Sequence, residues 1–268
     1  MQKIVIWSLI AFCFWGCATN AITGRKQLKL FSDSEIQAMA LTEYKTFLNE
    51  NKVVPSANSN AEMVRRIGQR ITSAITRYYT QQGKGSVLDG YQWEYNLVDS
   101  KEVNAWCMPG GKIVVYTGLL PITQNESALA VVMGHEITHA LAQHGNERMS
   151  QGMIQQLGGV ALNVALANKP AATQNLFMNA YGIGTQVGVM LPFSRNDEYE
   201  ADKFGLRFAA MAGYNPQEAI PLWQRMEKAS SGQKPPEFLS THPAEGNRIA
   251  RLQQEMPEAM KYYKTAVK

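Results

Sequence analysis

Apolar residues recur at two different periods along this chain, and the change of period marks its elements. After Ser32, the positions Ile36, Met39, Ala40, Tyr44, Phe47 and Leu48 follow the spacing of one helix face. Ser32-Asp33-Ser34-Glu35 in front of them has the form of a capping box, with a hydroxyl for the N3 amide and a carboxylate reaching back to the cap. Val64, Ile67, Ile71, Ala74, Ile75 and Tyr78 predict a second amphipathic helix. Beyond a loop from Gly83 to Gly90 the period shortens. Tyr91, Trp93, Tyr95 and Leu97 alternate with their neighbours, as one face of a half-buried strand does. Val103 to Met108, the turn Pro109-Gly110-Gly111 and Lys112 to Tyr116 predict a hairpin.

The hairpin is followed by Glu126 to Gly134, which lacks proline and carries Leu129, Val132 and Met133 on an apolar side. It reads as a helix with Asn125 as its N-cap. A few short strands within an otherwise helical chain predict an α+β fold, mostly helical, with a small sheet beside this helix. The pattern is weakest from Met149 to Leu191, a stretch poor in charge and rich in Gly, Ala, Val and Gln. Its apolar runs, Leu157 to Ala167 and Met178 to Leu191, are broken by polar residues or Gly, and neither reaches the roughly 20 residues of a membrane span. Two amphipathic helices packed on the core or flanking a cleft are expected there, with a membrane-surface or partner-binding role as the alternative. Ser230 to Pro236 reads as a short flexible linker.

The amino terminus changes the picture of where the domain sits. A basic start at Lys3 precedes an apolar run from Ile4 to Trp15, too short for a membrane span and suited to a secretory leader. The run ends at Gly16-Cys17, which has the look of a lipoprotein processing site, although Phe14 and Trp15 depart from the usual residues before it. The expectation is a leader at 1–16 and a mature domain at 17–268, anchored to the membrane through acylated Cys17. An uncleaved signal anchor is the alternative. Cys13 then leaves with the leader, Cys17 carries lipid and Cys107 has no partner, so no disulfide framework is expected. Without Lys3, the mature chain has 25 basic and 22 acidic residues. That balance is too small to imply a nucleic-acid partner, no charge run or basic-aromatic stripe supports one, and none is expected.

The chemistry begins where the predicted helix continues into His135-Glu136-Ile137-Thr138-His139. Two histidines four apart lie on one helix face and can reach one metal ion, while Glu136 is placed to take a proton from an activated water. Further on, Glu198 and Asp202 are also four apart. Glu198 can complete a His-His-Glu set, and Asp202 can accept a hydrogen bond from the free ring nitrogen of a ligand histidine. One zinc ion per chain is the implied cofactor. A metzincin would need Gly and His where Ala142 and Gly145 stand, and a zinc deaminase would need paired cysteines, so both classes are excluded. On a continuing helix His144 would point away from the metal, in a structural or supporting role.

The runs HEITHALAQHGNER, SRNDEYEAD and STHPAEGNRI together resemble the HtpX-like and CAAX-prenyl-endopeptidase-like gluzincins, metallopeptidase family forty-eight. Within that family the chain looks like the small bacterial envelope lipoproteins. The likeness runs from about Thr23 to Arg251. It implies a zincin-like domain with His135, His139 and Glu198 as ligands, Glu136 as general base and Asp202 behind the ligands. It also marks His242 and Arg248 as lying near the active site. Thr241-His242-Pro243 reads locally as the start of a helix, which leaves the imidazole facing the metal, as a latch or in catalysis, or else on a capping loop. Arg248 is either an oxyanion stabiliser or a helix ion-pair partner. The resemblance further places a substrate-binding strand edge near Asn104 and Ala105, the alternative being an ordinary core hairpin.

These features predict a zinc endopeptidase of the bacterial envelope, facing the periplasm and expected at the outer membrane. Its polypeptide substrates would be misfolded or unassembled envelope proteins, and envelope assembly factors are conceivable partners. The competing class is a non-proteolytic assembly factor or chaperone that uses the same groove.

Overall fold

The computed structural model describes residues 17–157, 173, 194–230, 236–242 and 247–266. A two-stranded antiparallel hairpin comes first, β1 (Cys17–Thr19) and β2 (Lys26–Leu28), followed by helices α1 (Asp33–Glu50) and α2 (Ser59–Gln81). The predicted capping box is present at α1, where the Ser32 hydroxyl accepts from the Glu35 amide and Glu35 reaches back to the Ser32 amide. The apolar stripe of α2 is buried as its period requires, with Val64, Ile67, Ile71 and Ile75 fully enclosed.

A three-stranded sheet follows, built from β3 (Glu94–Val98), β4 (Ala105–Met108) and β5 (Lys112–Tyr116) in the order β3-β5-β4. The predicted hairpin is the antiparallel pair β4–β5, while β3 runs parallel to β5. Alternation along β4 and β5 sorts their side chains onto two covered faces. Ala105, Cys107, Ile113 and Val115 pack with α2 and the helix carrying His135, whereas Trp106, Met108, Val114 and Tyr116 pack with Ile36, Ala40 and Tyr44 of α1. Helices thus lie on both faces of the sheet, and the α+β expectation holds.

A short helix α3 (Leu120–Thr123) leads to α4 (Glu126–Leu141), capped by Asn125, whose side chain accepts from the Ala128 amide. Next come α5 (His144–Leu157), α6 (Arg195–Met211), α7 (Ala219–Ser230), α8 (Glu237–Thr241) and α9 (Arg248–Ala266). Most of the expectation for Met149 to Leu191 lies outside the described residues, as do residues 231–235 of the expected linker. No described helix is long and apolar enough to cross a membrane.

One local expectation is corrected. α4 does not continue to His144: Ala142 caps it, Gln143 turns left-handed at φ 58°, and His144 opens α5. His242 caps the end of α8, with its amide donating to the Phe238 carbonyl, while the residues after it, 243–246, on which the expected helix start falls, lie outside the described residues. The crossing of α4 and α6 is unusually close. A Cβ on Gly134 would stand 2.6 Å from the Gly205 carbonyl oxygen, and one on Gly205 would stand 2.7 Å from the His135 nitrogen. Backbone therefore meets backbone one residue before His135.

Candidate metal centre

α4 and α6 bring their charged residues to this crossing, and α8 adds another. His135, His139, Glu198 and His242 are buried together, each offering a ligand atom within 4.8 Å of the others. His135 Nε2 lies 3.0 Å from His139 Nε2 and 3.2 Å from His242 Nδ1. Glu198 Oε1 lies 2.9 Å from His242 Nδ1 and 3.4 Å from His139 Nε2. Two donors about 2.0–2.1 Å from one tetrahedral ion stand roughly 3.3–3.4 Å apart. The observed separations reach that value or fall a few tenths of an ångström short of it, a convergence that a shared small cation would fit with a slight opening of the cluster.

The atoms behind the cluster fix which ring nitrogens carry lone pairs. Asp202 Oδ1 lies 2.9 Å from His135 Nδ1, and a carboxylate only accepts, so that nitrogen holds the proton and Nε2 is bare. His139 Nδ1 lies 3.0 Å from His144 Nδ1, and His144 Nε2 lies 2.9 Å from Glu200 Oε2. With His144 donating to Glu200, its Nδ1 accepts from His139, and His139 Nε2 is bare as well. Two lone pairs then face each other, an arrangement that calls for a cation between them. Burial, opposed in part by Glu198, holds His139 well below the usual histidine range, in the neutral form a metal requires.

The remaining groups suit the same centre. Burial opposes ionisation of Glu198, but His242 and Arg248 beside it, with the His242 hydrogen bond, hold it well below the usual carboxylate range. Glu136 is buried beside the cluster, with Oε1 3.4 Å from His242 Nε2 and without a hydrogen-bond partner. Burial, aided by Glu198 and opposed by His135 and Arg248, pushes its pKa up to about 8. The buried Arg248 grips both Asp202 oxygens, from Nε at 2.8 Å and Nη2 at 2.7 Å, while Nη1 lies 2.9 Å from Glu198 Oε2. Its guanidinium carbon sits 3.5 Å above the Trp223 ring centroid.

Asn104 and Ala105 are buried at the start of β4, where the Asn104 side chain accepts from the Ala105 amide at 2.9 Å and its carbonyl from Tyr116 at 3.1 Å. The Val103 carbonyl just before them accepts from the Phe238 amide of α8 at 3.0 Å. Cys107 is a buried free thiol, pushed well up by burial and in keeping with a packing role. Of Cys17, only the backbone, at the start of β1, lies within the description. Sequence reasoning passed over Glu200 and Arg25. Glu200 lies inside a motif already singled out, but its target is visible only once α4 is seen to break before His144. No local pattern pointed to Arg25.

The Peptidase family M48 model matches residues 62–256. Mitochondrial metalloendopeptidase OMA1 of Saccharomyces cerevisiae is 32% identical over 221 residues, which cover 80% of this chain and 61% of that protein. The human metalloendopeptidase OMA1, mitochondrial, is 30% identical over 259 residues, covering 94% of this chain and 48% of the relative. The Beta-barrel assembly-enhancing protease of Escherichia coli K12 is 32% identical over 169 residues, covering 59% of this chain and 33% of the relative. The chain thus spans about half the human protein's length and a third of the bacterial one's. A cation-ready pair of imidazoles, a buried carboxylate beside them and a family match across most of the sequence lead to one conclusion: the chain belongs to Peptidase family M48.

Proposed function

We propose that the chain is a zinc endopeptidase tethered in the bacterial envelope, cutting misfolded or unassembled envelope proteins. The observation that carries the hydrolase reading is Glu136 Oε1, buried without a hydrogen-bond partner beside two bare imidazole nitrogens. His135, His139 and Glu198 would hold the ion. Zinc held there supplies a Lewis acid for the scissile carbonyl and an acidified water. Glu136 accepts the proton at its carboxylate and delivers it to the leaving amine; burial makes it a stronger base than a solvated carboxylate. Asp202 keeps the His135 proton on Nδ1. Arg248 holds Asp202 through two hydrogen bonds and stands in ion-pair contact with Glu198, while its buried Nη1 has no hydrogen-bond partner and so remains a donor open to an oxyanion. The test is cleavage of an unfolded polypeptide: a chelator should abolish it and added zinc restore it. Cleavage indifferent to chelation would exclude the metal mechanism.

The envelope placement rests on Gly16-Cys17 and on the bacterial relative whose name ties it to β-barrel assembly. Mass spectrometry of the membrane-extracted protein should find Cys17 acylated and residues 1–16 absent; an unmodified Cys17 would refute the tether.

His242 is best read as a latch. Its imidazole shares the ligand cluster, and α8, which carries it, also occupies the Val103 carbonyl beside the strand edge assigned to substrate. A peptide adding to that edge competes with α8 for the same backbone group. His242→Ala should therefore cleave an unstructured polypeptide several-fold faster than wild type. Loss of activity with zinc retained would instead make His242 catalytic.

A further inference from the structure

Behind His139 lies a second group of ligand-type atoms, the buried His144 and Asp197 with the half-buried Glu200, all within 4.8 Å of one another. By itself the trio looks like another metal site. A cation already serves it. Arg25, from the turn of the β1–β2 hairpin, donates from Nη1 and Nη2 to the two Glu147 oxygens at 2.9 and 2.7 Å. Nη2 also reaches Asp197 Oδ1 at 2.9 Å, and Nε reaches Glu200 Oε1 at 2.9 Å. One planar guanidinium thus joins three carboxylates from α5 and α6, a task that the point charge of a lysine does not match.

The consequence runs toward the metal centre. Arg25 occupies Oε1 of Glu200, leaving Oε2 for His144 Nε2 at 2.9 Å. That contact places the His144 proton on Nε2, so its Nδ1 is the acceptor for His139 Nδ1 at 3.0 Å. Only with that proton on Nδ1 does His139 present a bare Nε2. We propose that Arg25 is a positioning residue for the metal centre: it orients the Glu200 carboxylate that selects the tautomers of His144 and ligand His139. The N-terminal hairpin is then part of the metal-binding machinery. The inference rests on His139 being a zinc ligand.

The experiment is zinc competition with a chromophoric chelator on the full mature chain, across wild type, Arg25→Gln, His144→Ala and the double variant. Partners behind metal ligands change affinity by about 10–100-fold when removed, and Arg25→Gln should fall in that range. Because Arg25 acts through His144, the double variant should bind zinc no more weakly than His144→Ala alone. A purely structural Arg25 would give losses that multiply. Should Arg25→Gln fail to fold, Arg25→Lys keeps the charge but not the fork, and the same non-additive loss is expected. Wild-type affinity in the Arg25 variants, or multiplying losses, overturns the proposal. A zinc affinity indifferent to His139→Ala overturns the ligand reading and the inference together. Dependence on His139 without dependence on Arg25 overturns the inference alone.

Discussion

Glu136→Gln should keep its zinc and lose turnover by about 10²–10⁴-fold, the range that a general acid–base group contributes. The side chain keeps its volume but can no longer accept a proton at an anionic oxygen. Zinc retention is expected because Glu136 stands outside the four residues whose ligand atoms converge. Stability should hold or rise, since the wild-type carboxyl is buried with Oε1 unpartnered and burial disfavours its charged form. Cleavage of an unfolded polypeptide, metal analysis and thermal melting on the same preparation check the three expectations. Wild-type turnover would remove Glu136 from the mechanism. Should a cellular envelope phenotype survive the substitution intact, the assembly-factor reading gains over the peptidase one.

Glu198→Ala should release the metal. Groups behind a ligand change affinity by about 10–100-fold, and removing a ligand should exceed that range. A second cost falls on the apo fold. Arg248 is buried and shared between Glu198 and Asp202. Breaking one side of a buried ion pair typically destabilises by about 3–5 kcal/mol. The figure here should sit toward the lower end, because Asp202 still accepts from Nε and Nη2. Metal content after dialysis and the melting point of the chelated protein separate these effects. Full zinc retention would end the assignment of Glu198. Glu198→Gln, which preserves shape but not charge, should also bind zinc weakly.

Much of this centre was legible in the sequence because its chemistry is local. His135 with His139, and Glu198 with Asp202, are pairs one helical turn apart, and a period of 3.6 places each pair on one face wherever the helix lies. The apolar stripe of α2, the capping box of α1 and the β4–β5 hairpin are legible for the same reason. What escaped depends on contacts distant in sequence. That β3 lies parallel to β5 is a matter of which element packs next to which, not of strand period. A helix running on past His139 was the default expectation, yet the left-handed Gln143 ends it and swings His144 back onto His139. No sequence pattern announced the short helix α8 that ends at Thr241, yet the His242 imidazole reaches the cluster from that helix end. Arg25 meets Asp197 across 172 positions of chain, a pairing no periodicity encodes.

The contact of Gly134 with Gly205 has a consequence for how freely the protein can vary. The metal-binding set is split between α4 and α6, and what fixes one against the other is the meeting of two bare backbones beside His135. At that point no side chain stands between them to be retuned. A side chain at either glycine would push the two helices apart, and with them the residues each brings to the cluster, so neither position can take even alanine without resetting the ligand geometry. The positions with the least latitude are thus two that carry none of the chemistry themselves.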